Sequence, residues 1–134
     1  MSKLYRVKCG ACGEVQDIAA AKVCSKCGKE IEVSAGAIQL YRMGSPVGVA
    51  AGFGIYINGQ PYGHIGNKET FRIALPYGKY TVHCTCGMTR KCNDLTVELT
   101  PESPIAYAKA SIKMGFWANS INIETAKAED MPEL

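Results

Sequence analysis

No apolar run in this chain approaches the ~20 residues that a helix needs to cross a bilayer, so no integral membrane role is expected. Nor does the chain open on a positively charged stretch followed by an apolar run of about 7–15 residues and a cleavage site, the pattern of an exported protein. The expected compartment is therefore the reducing cytoplasm, where thiols remain available for metal. An excess of one charge is missing as well: fifteen basic residues face twelve acidic ones. Nucleotide-binding loops are also wanting. Gly48 to Gly54 is glycine-rich without the dinucleotide spacing, and Gly78-Lys79 lacks the upstream glycine and following Ser/Thr of a P-loop. These glycines read instead as bulges or loosened strand packing. The single tryptophan, Trp117, reads as core or core rim, with an exposed anchor between the last two strands as the alternative.

Cysteine is what the chain has in quantity, seven in all. Cys9, Cys12, Cys24 and Cys27 form two CxxC pairs, each followed by glycine. A CxxC turn lets two thiolates converge on one ion, and two such turns face to face complete the tetrahedral shell that zinc prefers. The metal ligands are therefore expected to be Cys9, Cys12, Cys24 and Cys27, with Zn²⁺ as cofactor. Gly13 and Gly28 stand where the backbone must turn away from the metal, a position eased by the absence of a Cβ. The two copies align as Val7-Lys8-Cys9-Gly10-Ala11-Cys12-Gly13 and Lys22-Val23-Cys24-Ser25-Lys26-Cys27-Gly28, an internal duplication of one knuckle. Two disulfides, a rubredoxin-type iron centre and a redox-active CxxC are the competing readings. Over roughly the first 33 residues the pattern resembles the zinc-ribbon family.

A segment that short cannot bury enough apolar surface to fold alone, so metal binding is expected to supply the deficit, on the order of 10 kcal/mol or more. The expected organisation is a zinc ribbon over 1–33, a joint at Ser34-Ala35-Gly36, a β-sandwich over 34–125 and a frayed or weakly helical acidic tail over 126–134. The middle region alternates. Ile38 and Leu40, then Val47, Val49, Ala51, Phe53, Ile55 and Ile57, and later Leu95, Val97 and Leu99, each fall on one sheet face. Asn58-Gly59 is a type I′ hairpin signal, and Pro76-Tyr77-Gly78-Lys79 marks a second turn. Further strand-like runs at Tyr80–Cys86, Pro104–Lys113 and Trp117–Thr125, with no long amphipathic helix, give an all-β class. The expectation is a small zinc ribbon joined to a seven- or eight-stranded antiparallel β-sandwich.

Ile55-Tyr56-Ile57-Asn58-Gly59-Gln60 and Leu75-Pro76-Tyr77-Gly78-Lys79-Tyr80-Thr81-Val82 resemble the two hairpin motifs of PEGA-type and related immunoglobulin-like small sandwiches. Asn58 stands where that family usually has aspartate, which the I′ turn tolerates equally well. The resemblance implies a fold and a non-catalytic binding or scaffold role, by analogy only.

His83-Cys84-Thr85-Cys86-Gly87-Met88-Thr89-Arg90 satisfies the His-Cys-x5-Arg signature of cysteine-dependent phosphatases, in which Cys84 would be the nucleophile and Arg90 the phosphate clamp. The context opposes it, because an alternating strand from Leu95 to Leu99 follows where that chemistry needs a helix N-terminus. The bland reading makes Cys84 and Cys86 small core hydrophobes on one strand face. Between these readings lies a second metal or redox cluster of Cys84, Cys86 and Cys92, with His64 or His83 as fourth ligand. His83 should point to the face opposite Cys84.

Six basic and four acidic residues lie in the first 33, and four thiolates with one Zn²⁺ would bring that segment close to neutral. This removes the main electrostatic attraction to nucleic acid. The expected function is therefore a non-enzymatic interaction or adaptor module recognising a protein partner through the ribbon or an exposed sandwich edge. A nucleic-acid-binding accessory protein is the alternative, and the phosphatase a third class.

Overall fold

The computed structural model describes residues 5–18, 23–31, 34–43, 52–86, 91–113 and 120–131. The expected strand at Val47 to Ala51, Arg90 and Trp117 lie outside the described residues. Ten strands account for the described secondary structure apart from one 3-10 turn: β1 (Tyr5–Lys8), β2 (Val15–Ile18), β3 (Gly36–Arg42), β4 (Phe53–Ile57), β5 (Gln60–Ile65), β6 (Thr70–Leu75), β7 (Gly78–Thr85), β8 (Leu95–Leu99), β9 (Ile105–Lys113) and β10 (Ser120–Thr125). The class is all-β. Among the described residues no helix is long and apolar enough to cross a membrane.

The strands form two sheets, of order β10-β9-β3-β6-β1-β2 and β5-β4-β7-β8. Their facing sides share one core because each strand turns alternate residues inward. Ile38, Leu40, Ile73 and Ile121 come from the larger sheet, and Phe53, Ile55, Val82 and Leu99 from the smaller. Each buried aliphatic side chain contributes about 1.5–3 kcal/mol relative to exposure. Asn58 and Gly59 take the two positive φ values, 51° and 81°, of a two-residue I′ turn between β4 and β5, as expected from their identities. That turn is fastened sideways to β7: the Thr81 N–H donates to Asn58 Oδ1 at 2.8 Å, and the Asn58 N–H donates to the Thr81 carbonyl at 2.9 Å.

Two expectations need correction. The sandwich is not wholly antiparallel, since β3 runs parallel to β9 and β1 parallel to β6. After β3 the chain crosses into the smaller sheet, returns for β6, crosses again for β7 and β8, and re-enters the larger sheet at β9. Such returns bring a strand in from the same end as its neighbour, and period-two alternation reports which face a residue occupies, not which way the strand runs. The motif at Leu75–Val82 is likewise not a hairpin. Pro76 and Tyr77 carry the chain from β6 in the larger sheet to β7 in the smaller, a passage closed by the Tyr80 hydroxyl donating to the Pro76 carbonyl at 2.7 Å.

Residues near the anticipated joint do different work from a flexible linker. Gly36 is buried, and a Cβ there would lie 2.8 Å from the Leu75 carbonyl oxygen, so the small residue permits close strand approach. The knuckle segment itself enters the larger sheet: β1 pairs with β6 on one side and antiparallel with β2 on the other. At the far end, the Ala126 N–H donates to the Tyr107 carbonyl at 2.9 Å, and Ala128–Asp130 forms one exposed 3-10 turn.

Candidate metal centre

The two CxxC turns repeat each other bond for bond. Cys9 N–H donates to the Glu14 carbonyl at 2.9 Å and Gly13 N–H to the Cys9 carbonyl at 2.9 Å; in the second copy Cys24 N–H donates to Lys29 at 2.8 Å and Gly28 N–H to Cys24 at 3.0 Å. Gly13 and Gly28 have φ of 80° and 78°, the left-handed conformation anticipated for them. The first cysteine of each pair is buried and the second exposed. Duplication at the sequence level is thus duplication of geometry, and it sets two loops face to face.

Between those loops the four sulfurs lie within 4.8 Å of one another. Cys9 Sγ is 3.7 Å from Cys27 Sγ, and Cys12 Sγ is 3.5 Å from Cys24 Sγ. A tetrahedron of sulfurs about 2.3 Å from a central ion has edges of about 3.8 Å, so this donor set fits one four-coordinate ion. All four are free thiols. The Cys24 sulfur accepts N–H groups from Cys27 at 3.5 Å and Lys26 at 3.4 Å and the Gln16 side-chain amide at 3.3 Å. These donors, led by the Cys27 N–H, hold the Cys24 thiol down at about 6. Cys9 is lowered too, by the backbone N–H groups of Cys12 and Ala11. At Cys12 the Glu14 N–H pulls the other way, but desolvation and the neighbouring thiols carry it up to about 12. Cys27 is raised as well, the Lys29 N–H being outweighed by desolvation and the neighbouring thiols, so two thiols are pulled down and two pushed up; a divalent ion between them would favour the thiolate at all four.

The centre stands on a very small apolar seat of Val7, Cys9, Cys24, Ile31 and Ala74, in which Ala74 is the contribution of β6. Arg6, whose role the sequence did not disclose, ties the same strand to the other sheet. Its guanidinium lies 3.9 Å from the Phe71 ring, pairs with Asp17 of β2 at 2.8 and 3.2 Å, and donates to the Tyr62 and His64 carbonyls of β5 at 3.2 and 2.6 Å. A single residue therefore joins β2, β5 and β6. Alternation could have placed Arg6 opposite Val7, but no pattern flagged an inward arginine.

The second cysteine-rich segment is divided. Cys84 lies within β7 with its side chain fully buried, and burial pushes its thiol up to about 12, where it holds its proton and is a poor nucleophile. Cys86 is buried in the same core. Cys92 instead sits on a short crossing segment that bridges to Ile121 of β10, with its thiol raised chiefly by burial. Of the alternative cluster of Cys84, Cys86 and Cys92 with His64 or His83, only Cys92 and His83 are gathered among the described residues. His83, Cys92 and Asp94 come together, with His83 Nδ1 2.6 Å from Asp94 Oδ1. Asp94 was missed because nothing in its neighbourhood resembles a ligand motif.

Two of the outer strands are covered. β5 has the Arg6 contacts, and along β10 the Ile121 N–H donates to the Lys91 carbonyl at 2.8 Å while the Asn93 side chain both accepts from the Ile123 N–H at 2.7 Å and donates to the Ile123 carbonyl at 3.0 Å. The outer strand β8 borders an open cleft of about 410 Å³ lined by Thr96, Glu98, Ile105, Tyr107 and Thr125. Comparison of the chain with protein-family models, with curated proteins and with solved structures finds no match.

Proposed function

We propose that the chain is a zinc-stabilised, non-enzymatic interaction module that takes an extended segment of a protein partner along β8. Zinc at Cys9, Cys12, Cys24 and Cys27 fixes the knuckles, and through β1 the edge of the larger sheet. The observation that carries the reading is the contrast among three of the four outer strands, β2 aside: β5 and β10 are covered by Arg6 and Asn93, whereas β8 borders the open cleft. A segment laid beside β8 gains main-chain hydrogen bonds, and alternate side chains reach the cleft walls. The near-balanced charge of the chain, with the Lys26–Glu14 ion pair at 3.9 Å beside the centre, supports a protein partner over a polyanion.

The test is capture of partners from the native host by the intact chain, followed by affinity measurement with the purified partner. Thr96→Arg, an exposed change that fills the cleft, is expected to weaken binding at least tenfold without altering zinc content. Undiminished affinity overturns the β8 site. Submicromolar RNA or DNA binding that requires Lys8 or Lys26 and falls steeply above about 150 mM salt makes the nucleic-acid account the better one. Turnover of an aryl phosphate that disappears in Cys84→Ser overturns the non-enzymatic reading.

A further inference from the structure

Where the chain enters β8 beside β7, it makes a second gathering of ligand-type side chains that the knuckles do not use. His83 projects from β7, Cys92 from the crossing segment that bridges to Ile121, and Asp94 from the residue that leads into β8. Asp94 has φ of 42°, a left-handed conformation that aspartate adopts more readily than most residues. A histidine nitrogen, the Cys92 sulfur and an Asp94 oxygen all lie within 4.8 Å of one another. The His83 and Asp94 side chains are 32% and 47% exposed, so an ion can reach them from solvent, while Cys92 is partly buried behind them.

We propose that His83, Cys92 and Asp94 form a second metal site, for one divalent ion of the zinc class, distinct from the four-cysteine centre. Nitrogen, sulfur and carboxylate oxygen together are a donor set that zinc accepts, whereas magnesium and calcium prefer oxygen alone. The three donors come from a strand and a crossing segment that the fold already holds together: Asn93, between two of them, is fixed to both backbone groups of Ile123. The 2.6 Å contact between His83 and Asp94 is a hydrogen bond, closer than the about 3.3 Å that two ligand atoms keep around one zinc. On binding, the proton between His83 and Asp94 passes to the other ring nitrogen or to solvent, Asp94 shifts outward on its exposed side, and the Cys92 thiol releases its proton to solvent. Three protein ligands leave one position of a tetrahedron open, to be filled by water or by a donor from another molecule. The site is therefore exchangeable, unlike the four-thiolate centre.

The experiment is a titration of the intact, metal-stripped and reduced chain with Co²⁺ and then Zn²⁺, read by visible absorption and by metal content after gel filtration. Two equivalents are expected. The first has the intense sulfur-to-metal absorption of four thiolates. The second has a weaker spectrum of one thiolate, and a chelator of moderate strength removes it while the first remains. His83→Gln, at a partly exposed position outside the core, should lower affinity for the second equivalent about 10–100-fold, and Cys92→Ser should abolish it. A single equivalent in the intact chain that carries only the intense four-thiolate absorption overturns the proposal. So does a second equivalent that survives in both variants. Failure of the four-cysteine centre is distinguishable, because it removes the intense first phase and leaves the second.

Discussion

Cys24 and Cys84 are both shielded from solvent, at 2% and 0% exposure, yet the chain treats them in opposite ways. In the knuckle, N–H groups of Cys27, Gln16 and Lys26 point at the sulfur and favour the thiolate; in the sandwich, apolar neighbours surround the sulfur and favour the thiol. The same residue type is fitted to ligate in one region and to pack as a small hydrophobe in the other because of where the donors point. The cores differ accordingly. Among the described residues eighteen buried ones stand between the two sheets, whereas the knuckles rest on five, two of them Cys9 and Cys24 themselves. Burial can hold the sandwich, whereas the knuckles have little to bury, and an ion at the four sulfurs is the stabilisation proposed for them.

The strongest way to break that contrast is to remove the ion. Chelation, or Cys24→Ser, is expected to unfold the knuckle loops, with a loss on the order of 10 kcal/mol of local stabilisation, while the sandwich core retains its slow amide exchange. Hydrogen exchange followed residue by residue checks this. Protection should vanish at Cys9, Gly13, Cys24 and Gly28 and persist at Ile38, Leu40, Ile73 and Val82. Loss of protection throughout the chain would mean that the two regions are one cooperative unit.

Arg6 is where the regions are coupled, and replacing it sharpens the comparison. Arg6→Ala removes the contacts to Asp17, Tyr62 and His64 together with the stacking on Phe71, at an expected cost of about 2–4 kcal/mol; partial exposure of Asp17 keeps the effect below that of a fully buried pair. Arg6→Lys should recover little of it, since a single ammonium cannot reproduce the planar fork across three strands. Urea unfolding of the zinc-loaded proteins measures both. Metal content should stay at the wild-type value, because Arg6 touches no thiol.

How much of this the residues disclosed in advance follows the range of the interactions. The knuckles were legible because ligand spacing, glycine position and duplication all lie within a few residues of one another. So was the Asn58-Gly59 turn, and so were the inward faces of β3, β4 and β8. What stayed hidden depends on residues far apart in the chain. The parallel pairing of β3 with β9 is set by crossovers, and the entry of β1 beside β6 is set by packing on Ala74 and the reach of Arg6 to β5. Pro76-Tyr77 gave a true turn signal but not its destination, since a turn looks alike whether it returns to its own sheet or leaves for the other. Asp94 belongs to the same class: its carboxylate meets His83 only because β8 folds back along β7.

The smallest expected effect lies at Asn58, and it separates two local terms inside the sandwich. The residue supplies both a backbone at φ of 51° and an oxygen that accepts the Thr81 N–H. Asn58→Gly keeps the conformation and loses the acceptor, so its cost of about 1 kcal/mol reports the hydrogen bond. Asn58→Ala loses the acceptor and also forces a Cβ into left-handed backbone, adding about 1–2 kcal/mol. Asn58→Asp retains an acceptor and tolerates the conformation, and should fall within about 0.5 kcal/mol of the parent. Urea midpoints in zinc-loaded protein give the order Asp, Gly, Ala from least to most destabilised. If alanine and glycine cost the same, the turn has relaxed and its conformation is not imposed by β7. Because the knuckles touch none of these atoms, the series should leave metal affinity unchanged, and a coupled loss of zinc would show that the sandwich hairpin reaches the centre through β5 and Arg6.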